Sequence, residues 1–275
     1  MSCSAIFIKM ADAPGIVTAF YRMAIAAIIL SVPFAFSLAK SRRKLSFKGV
    51  VLASFAGICF GIDLSFWSTG IVASNATIPT IFANTAPIWV GFGSMIFFRE
   101  KHKFGFWFGL ILAFSGIPIL LRKDLFASNG ILFGSLLGAA AGLFYGTFQI
   151  ISQPGRKLLN TLNYLFISTT SSALILFLTM LIFNYNFFGY DQKTYIIFFV
   201  FSVGVQVIGW FLINYSQGHI PASIVAPTLL GQPLITAFLA ILFLKEHLTL
   251  WHISGGIVII SGIYVIHFSN RRLKS

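Results

Sequence analysis

The chain has 275 residues and a formal net charge of +13, yet only 9% of its residues are charged and 57% are hydrophobic. Its mean hydropathy is +0.91. A soluble domain carries roughly a quarter charged residues, so this composition excludes one and points to a polytopic membrane protein. The positive residues sit in short segments between apolar runs, which argues against a nucleic-acid partner and for a membrane-orientation signal. Cys3 and Cys59 lie in apolar runs, imply no disulfide framework and read as packing residues.

A bilayer core of about 30 Å needs about 20 apolar residues per helix. Residues 2–11, SCSAIFIKMA, cover about half that thickness at ~1.5 Å per residue. They read as the second half of a helix rather than as a cleavable signal peptide, because they lack a basic leader and carry Lys9, with Asp12 just behind. Full-length spans follow at 16–39, 49–70, 76–98, 104–121, 131–152, 161–183, 194–215, 221–244 and 250–268. The expected fold is therefore an all-α membrane protein, a ten-helix bundle of nine full spans and one partial span.

The loops set an orientation. Segments 40–48, 99–103, 153–160, 216–220 and 269–275 hold 13 of the 19 Lys and Arg residues, against 4 in the loops on the opposite side. That asymmetry puts the first set, and the C-terminus, in the cytoplasm.

Residues 76–121 recur near 222–267 at an offset of 146. Pro87 falls on Pro233, Glu100 on Glu246, Gly109 on Gly255, Gly116 on Gly262 and Thr77 on Ser223. An internal repeat constrains architecture before any local argument does. Five spans per half is an odd number, so the second half enters the membrane from the opposite face. Inverted repeats of this kind place a solute site near the midplane between the halves. The expected division is 1–122, 130–268 and a basic tail at 269–275. Gly134, Gly138, Gly142 and Gly146 form a four-residue ladder, with shorter pairs at Gly57/Gly61 and Gly105/Gly109. Small residues at this spacing let helix backbones approach closely.

Ionisable groups inside spans are costly and rare. Asp63 and Arg22 lie at similar depth, and an Asp63–Arg22 pair reads either as a polar element near the outer mouth of a path or as a structural ion pair. Trp67, Asn84, Tyr145, Gln149, Gln206, Trp210 and Gln232 sit within spans, where an amide or indole N–H must face protein or a cavity. Interhelical hydrogen bonding competes with a solute-lining role at each of them. Interface anchoring also competes at Trp67. Pro87 and Pro233 are expected to bend their helices, because a proline inside a helix removes a backbone hydrogen bond. Glu100 and Glu246 sit in basic hairpins and are expected to bond helix N-terminal amides rather than transfer protons. No metal-ligand cluster, nucleotide loop or hydrolase motif is present, so no cofactor is implied.

SAIFIKMA before Pro14, TAFYRMAIAAIIL with Arg22, and the two Pro-to-Glu segments at 76–121 and 222–267 together resemble the EamA branch of the drug/metabolite transporter superfamily. The resemblance spans essentially the whole chain and rests on order and duplication rather than on one motif. It implies ten helices, cytoplasmic termini, a central cavity and alternating access. It also implies a complete first helix, so an in-frame apolar stretch is expected upstream of residue 1.

The expected function is a secondary transporter in the cytoplasmic membrane, moving a small organic solute, outward in many such families. The candidate cavity lining is Asn84, Tyr145, Gln149, Trp210 and Gln232, with Trp67, Asp63 and Arg22 toward the outer mouth. A membrane-embedded enzyme acting on lipid-linked substrates and a non-transporting interaction protein are the alternatives. The expected partners are a small-molecule solute and the lipid bilayer, with no nucleic acid; a homodimer remains open.

Overall fold

The computed structural model describes residues 4–40, 45–74, 77–120, 131–235, 238 and 250–271. All regular structure among them is helical. In chain order the helices are α1 (Ser4–Met10), α2 (Gly15–Lys40), α3 (Phe47–Ala73), α4 (Thr77–Ala83), α5 (Ala86–Phe98), α6 (Phe104–Leu120), α7 (Ile131–Leu158) and α8 (Thr161–Ile182). Then come α9 (Gln192–Phe201), a π-helical segment (Ser202–Gly209) and α10 (Trp210–Gln217), which together make one continuous rod. α11 (Ala222–Thr228) runs into a 3₁₀ turn (Leu229–Gly231), and α12 (Leu250–Arg271) ends the described chain. Among the described residues, six helices are long and apolar enough to cross a membrane, and Phe104–Leu120, Ala222–Ile235 and Ile253–Ser269 are shorter apolar helices.

Glycines bring these helices to backbone contact. The ladder Gly134, Gly138, Gly142 and Gly146 faces α4 and α5 at Ile78, Pro79, Phe82 and Ala86 in turn, so α7 runs parallel to that broken span. A Cβ on Gly57 would lie 2.8 Å from the Ser171 Cβ, and Ser172 on the same face donates a hydrogen bond to the Gly57 carbonyl at 2.7 Å.

The tightest crossing joins α6 to α12. Gly109 lies against the Gly262 carbonyl and Gly116 against the Gly255 carbonyl. As one helix rises by seven residues the other falls by seven, so the two run antiparallel. In the 146-residue register, Gly109 corresponds to Gly255 and Gly116 to Gly262. Each glycine therefore meets the counterpart of its neighbour, the reciprocity expected around a two-fold axis.

The span holding Pro87 is broken rather than bent. α4 ends at Ala83, residues 84–85 form a turn, and α5 starts with Pro87 in its first turn. Proline is tolerated there because that N–H has no intrahelical partner anyway. The 3₁₀ turn 229–231 falls on 83–85 in the repeat register, and Pro233 follows it, buried. Both repeated spans are thus interrupted at matching depth.

Gly262→Val would place a Cβ 2.6 Å from the Gly109 carbonyl oxygen. The expected result is a loss of about 1–3 kcal/mol, as for other over-packed cores, seen as a lower thermal-unfolding midpoint in detergent. Gly204→Ala, where nothing lies within 4 Å of the new Cβ, leaves that midpoint unchanged.

Candidate functional site

Two buried polar centres lie inside the bundle, and Tyr145 connects them. The first is built on Arg22 of α2, only 3% exposed. Its Nε and Nη2 both donate to Gln206 Oε1, at 3.0 and 2.8 Å, and the guanidinium lies 4.7 Å from the Phe201 ring centroid. Gln206 Nε2 in turn donates to Thr169 Oγ1 at 3.4 Å. Asp63 of α3, 6% exposed, is within electrostatic reach of Arg22 and Tyr145. No direct ion pair joins Asp63 to Arg22, so the expected pair is replaced by an Arg22–Gln206 bond. Gln206 sits in the π-helical segment, whose wider turn shifts side-chain register relative to an α-helix.

The second centre is an aromatic box. Trp210 packs against Phe60, Phe148 and Tyr145 with ring centroids 4.5, 5.3 and 6.0 Å away. Gln149 sits one turn beyond Tyr145 on the same face of α7. Its side chain is 1% exposed, and neither amide atom has a hydrogen-bond partner. The Trp210 indole N–H, on a residue 2% exposed, is likewise unpartnered.

The facing helices α7 and α10 continue this pattern. Arg156, two turns beyond Gln149, donates from Nε to the Asn214 carbonyl at 2.7 Å and from Nη2 to Thr161 Oγ1 at 2.6 Å, and it also bonds the Leu159 carbonyl. Asn214 Nδ2 donates to the Trp210 carbonyl, leaving its Oδ1 unpartnered, and both amide atoms of Gln217 are unpartnered. Tyr145, Gln149 and Arg156 on α7 thus run beside Gln206, Trp210, Asn214 and Gln217 along the π segment and α10. An unpaired buried polar group costs about 1–3 kcal/mol, so this seam is expensive to keep dry.

The remaining expected site residues are placed differently. Asn84 Nδ2 donates to the Thr80 carbonyl at 2.8 Å, so its amide caps the end of α4. Trp67 Nε1 donates to Thr80 Oγ1 at 3.1 Å, tying α3 to α4. Gln232 is half-buried just after the 3₁₀ turn. Glu246 lies outside the described residues. Glu100 accepts from the Ser223 hydroxyl at 2.6 Å rather than from helix amides, and lies 3.8 Å from His102 Nε2. Asn214 and Gln217 were not singled out from the sequence, although their spacing of four and seven residues from Trp210 places all three on one helix face.

A model of the EamA-like transporter family matches residues 1–122 and 132–268. The chain belongs to the EamA-like transporter family. Relatives include an uncharacterized protein of Methanocaldococcus jannaschii, 36% identical over 137 residues that make up 49% of this chain and 96% of that protein. An uncharacterized transporter of Archaeoglobus fulgidus is 27% identical, covering 77% of this chain and 76% of its own length. The uncharacterized transporter YetK of Bacillus subtilis is 26% identical, covering 89% of this chain and 76% of its own. A crystal structure superposes with a TM-score of 0.78 at 14% identity, covering 98% of this chain and 94% of the other, a likeness of fold. As an EamA protein, the chain is a multi-pass membrane transporter.

In the first-half hairpin, burial holds the His102 imidazole below the ordinary histidine value of 6.5, with the Glu100 carboxylate pulling the other way. A histidine depressed in this way binds its proton less readily folded than unfolded. Its contribution is intact above the unfolded value and is lost as the pH falls through the folded one. Thermal unfolding measured from neutral to mildly acidic pH is expected to show a falling midpoint. His102→Gln shows a smaller acid loss than the parent.

Proposed function

We propose that this EamA protein is a secondary transporter of the cytoplasmic membrane that moves a small organic solute outward by alternating access. On this reading two inverted five-helix repeats flank the site. The C-terminus faces the cytoplasm, as the positive loop residues favour. The reciprocal, antiparallel Gly109–Gly262 and Gly116–Gly255 crossings support that arrangement. So does a relative of single-repeat length that aligns with half of this chain.

The observation that carries the proposal is the unpartnered pair of Gln149 and Trp210, buried among aromatic rings between apolar spans. Such groups are stable in lipid only if something supplies their hydrogen bonds. A solute combining an apolar or aromatic body with a donor and an acceptor meets that need. Arg22 and Asp63, within electrostatic reach of Tyr145, place a guanidinium and a carboxyl group beside it. Trp67 and Asn84 act as supports on this reading, holding the broken α4–α5 span.

Gln149→Leu and Trp210→Phe test the proposal in reconstituted vesicles screened against a metabolite mixture. Removing a buried unpartnered amide relieves a cost, so Gln149→Leu is expected to melt no lower than the parent. Its transport falls by at least roughly tenfold, the equivalent of one lost hydrogen bond to solute. A Gln149→Leu protein that transports normally would remove Gln149 from the site.

Asp63 is the buried acid placed to couple protons to this movement. Asp63→Asn is expected to abolish accumulation driven by a pH gradient while leaving solute exchange at zero gradient. Gradient-driven transport that survives the change excludes that role.

A further inference from the structure

The first turn of α11 is held by residues that belong to other parts of the chain. Its N-cap is Pro221, which provides no side-chain hydrogen bond. Gln153 Oε1 of α7 takes over that task, accepting from the Ala222 N–H at 2.8 Å. Beside it the Glu100 carboxylate, from the first half, accepts from the Ser223 hydroxyl at 2.6 Å and so grips the same turn through a side chain.

Glu100 is held for this contact by its own hairpin. Arg99, at φ 54°, turns the chain out of α5, and the Arg99 and Glu100 N–H groups both return to the Ser94 carbonyl. The Ser94 hydroxyl meets His102 Nε2 at 2.6 Å, and the imidazole stacks on Phe106 with centroids 4.1 Å apart. Behind the contact, Val90 of the first half packs with Ala222, Ala226 and Ile150 of the second. Ser94, His102, Glu100 and Ser223 therefore form one chain of contacts running from the first half into the second.

We infer that Glu100 is a latch between the two halves: it holds the first turn of α11 through the Ser223 hydroxyl when this face of the protein is closed and releases it when this face opens. The inference rests on the alternating-access reading. The Gln153 cap lies within the second half and would survive a relative movement of the halves, whereas the Glu100–Ser223 bond crosses between them and is lost when they separate. Residues of α11 itself lie one to seven positions past Pro221, so the latch acts on the start of the interrupted span that leads to Gln232. In the 146-residue register, Glu100 and Ser223 fall on Glu246 and Thr77, whose side chains lie outside the described residues.

The test uses the full chain in proteoliposomes, with Cys3 and Cys59 replaced and a reporter Ile150→Cys placed behind the latch. Modification by a membrane-impermeant maleimide reports opening of the interface. Glu100→Gln and Ser223→Ala are each expected to raise the labelling rate roughly tenfold, the effect of losing one charge-assisted hydrogen bond. Joining Glu100→Cys to Ser223→Cys with a short bis-methanethiosulfonate is expected to suppress labelling of the reporter and restore it on reduction. Labelling unchanged by both single substitutions, in proteins whose thermal unfolding matches the parent, would overturn the latch. So would labelling that persists in the cross-linked protein. Solute flux measured in the same vesicles separates this outcome from failure of the transport reading. A labelling response without flux keeps the latch and removes the solute, and flux without a labelling response does the reverse.

Discussion

Backbone-to-backbone contact between α6 and α12 is the constraint on which the arrangement depends. In lipid, helices are not driven together by exclusion of water from apolar side chains, because lipid tails are as apolar as leucine. Close packing and hydrogen bonding must do that work. Gly109, Gly116, Gly255 and Gly262 let the two helices meet along carbonyls and amide groups. A side chain at any of the four would force the helices apart. The reciprocity of these contacts also means that one geometric solution serves both halves.

Against that frame, the polar groups sort into two kinds. Arg22, Gln206 and Thr169 satisfy one another across three helices, and Arg156 satisfies the carbonyl end of α10. These bonds fix helix positions. Gln149, Gln217, the Trp210 N–H and Asn214 Oδ1 do not satisfy one another, although they share the same seam. A folded chain that needed these positions only for stability would do better with leucine there, since a well-packed apolar group carries no desolvation cost. Their presence is the physical argument for a solute.

Much of this was legible in the sequence, because repeats and small-residue spacing are one-dimensional signals. The ladder from Gly134 to Gly146, the Pro87 and Pro233 register and the intramembrane Gln149 and Trp210 all follow from spacing and hydropathy. What was not legible depends on register between distant elements. Arg22 and Gln206 are 184 positions apart, and the π-helical turn that aims Gln206 at Arg22 has no signature in a 3.6-residue period. Asn84 looked like a lining amide, yet its side chain turns back onto the Thr80 carbonyl, which also accepts from the Asn84 N–H at the end of α4. Glu100 was expected at a helix amide and bonds a serine from the other half instead, a partner 123 positions away.

The crossing of α6 and α12 is nearly symmetric, but the seam of buried polar groups is not. The second half supplies Gln149, Trp210, Asn214 and Gln217, all of them amides or indole. The first half supplies Phe60 to the same box, and Arg22 and Asp63 beside it. A site near a two-fold axis sees both halves, so identical linings would present matching chemistry twice and suit a symmetric ligand. An unequal lining distinguishes one end of a solute from the other while the shared backbone frame still permits equivalent movements of each half. On the proposed transport reading, selectivity and alternation place opposite demands on the two halves. The chain meets them in different atoms, with glycines and carbonyls kept alike at the crossing and side chains allowed to diverge at the seam.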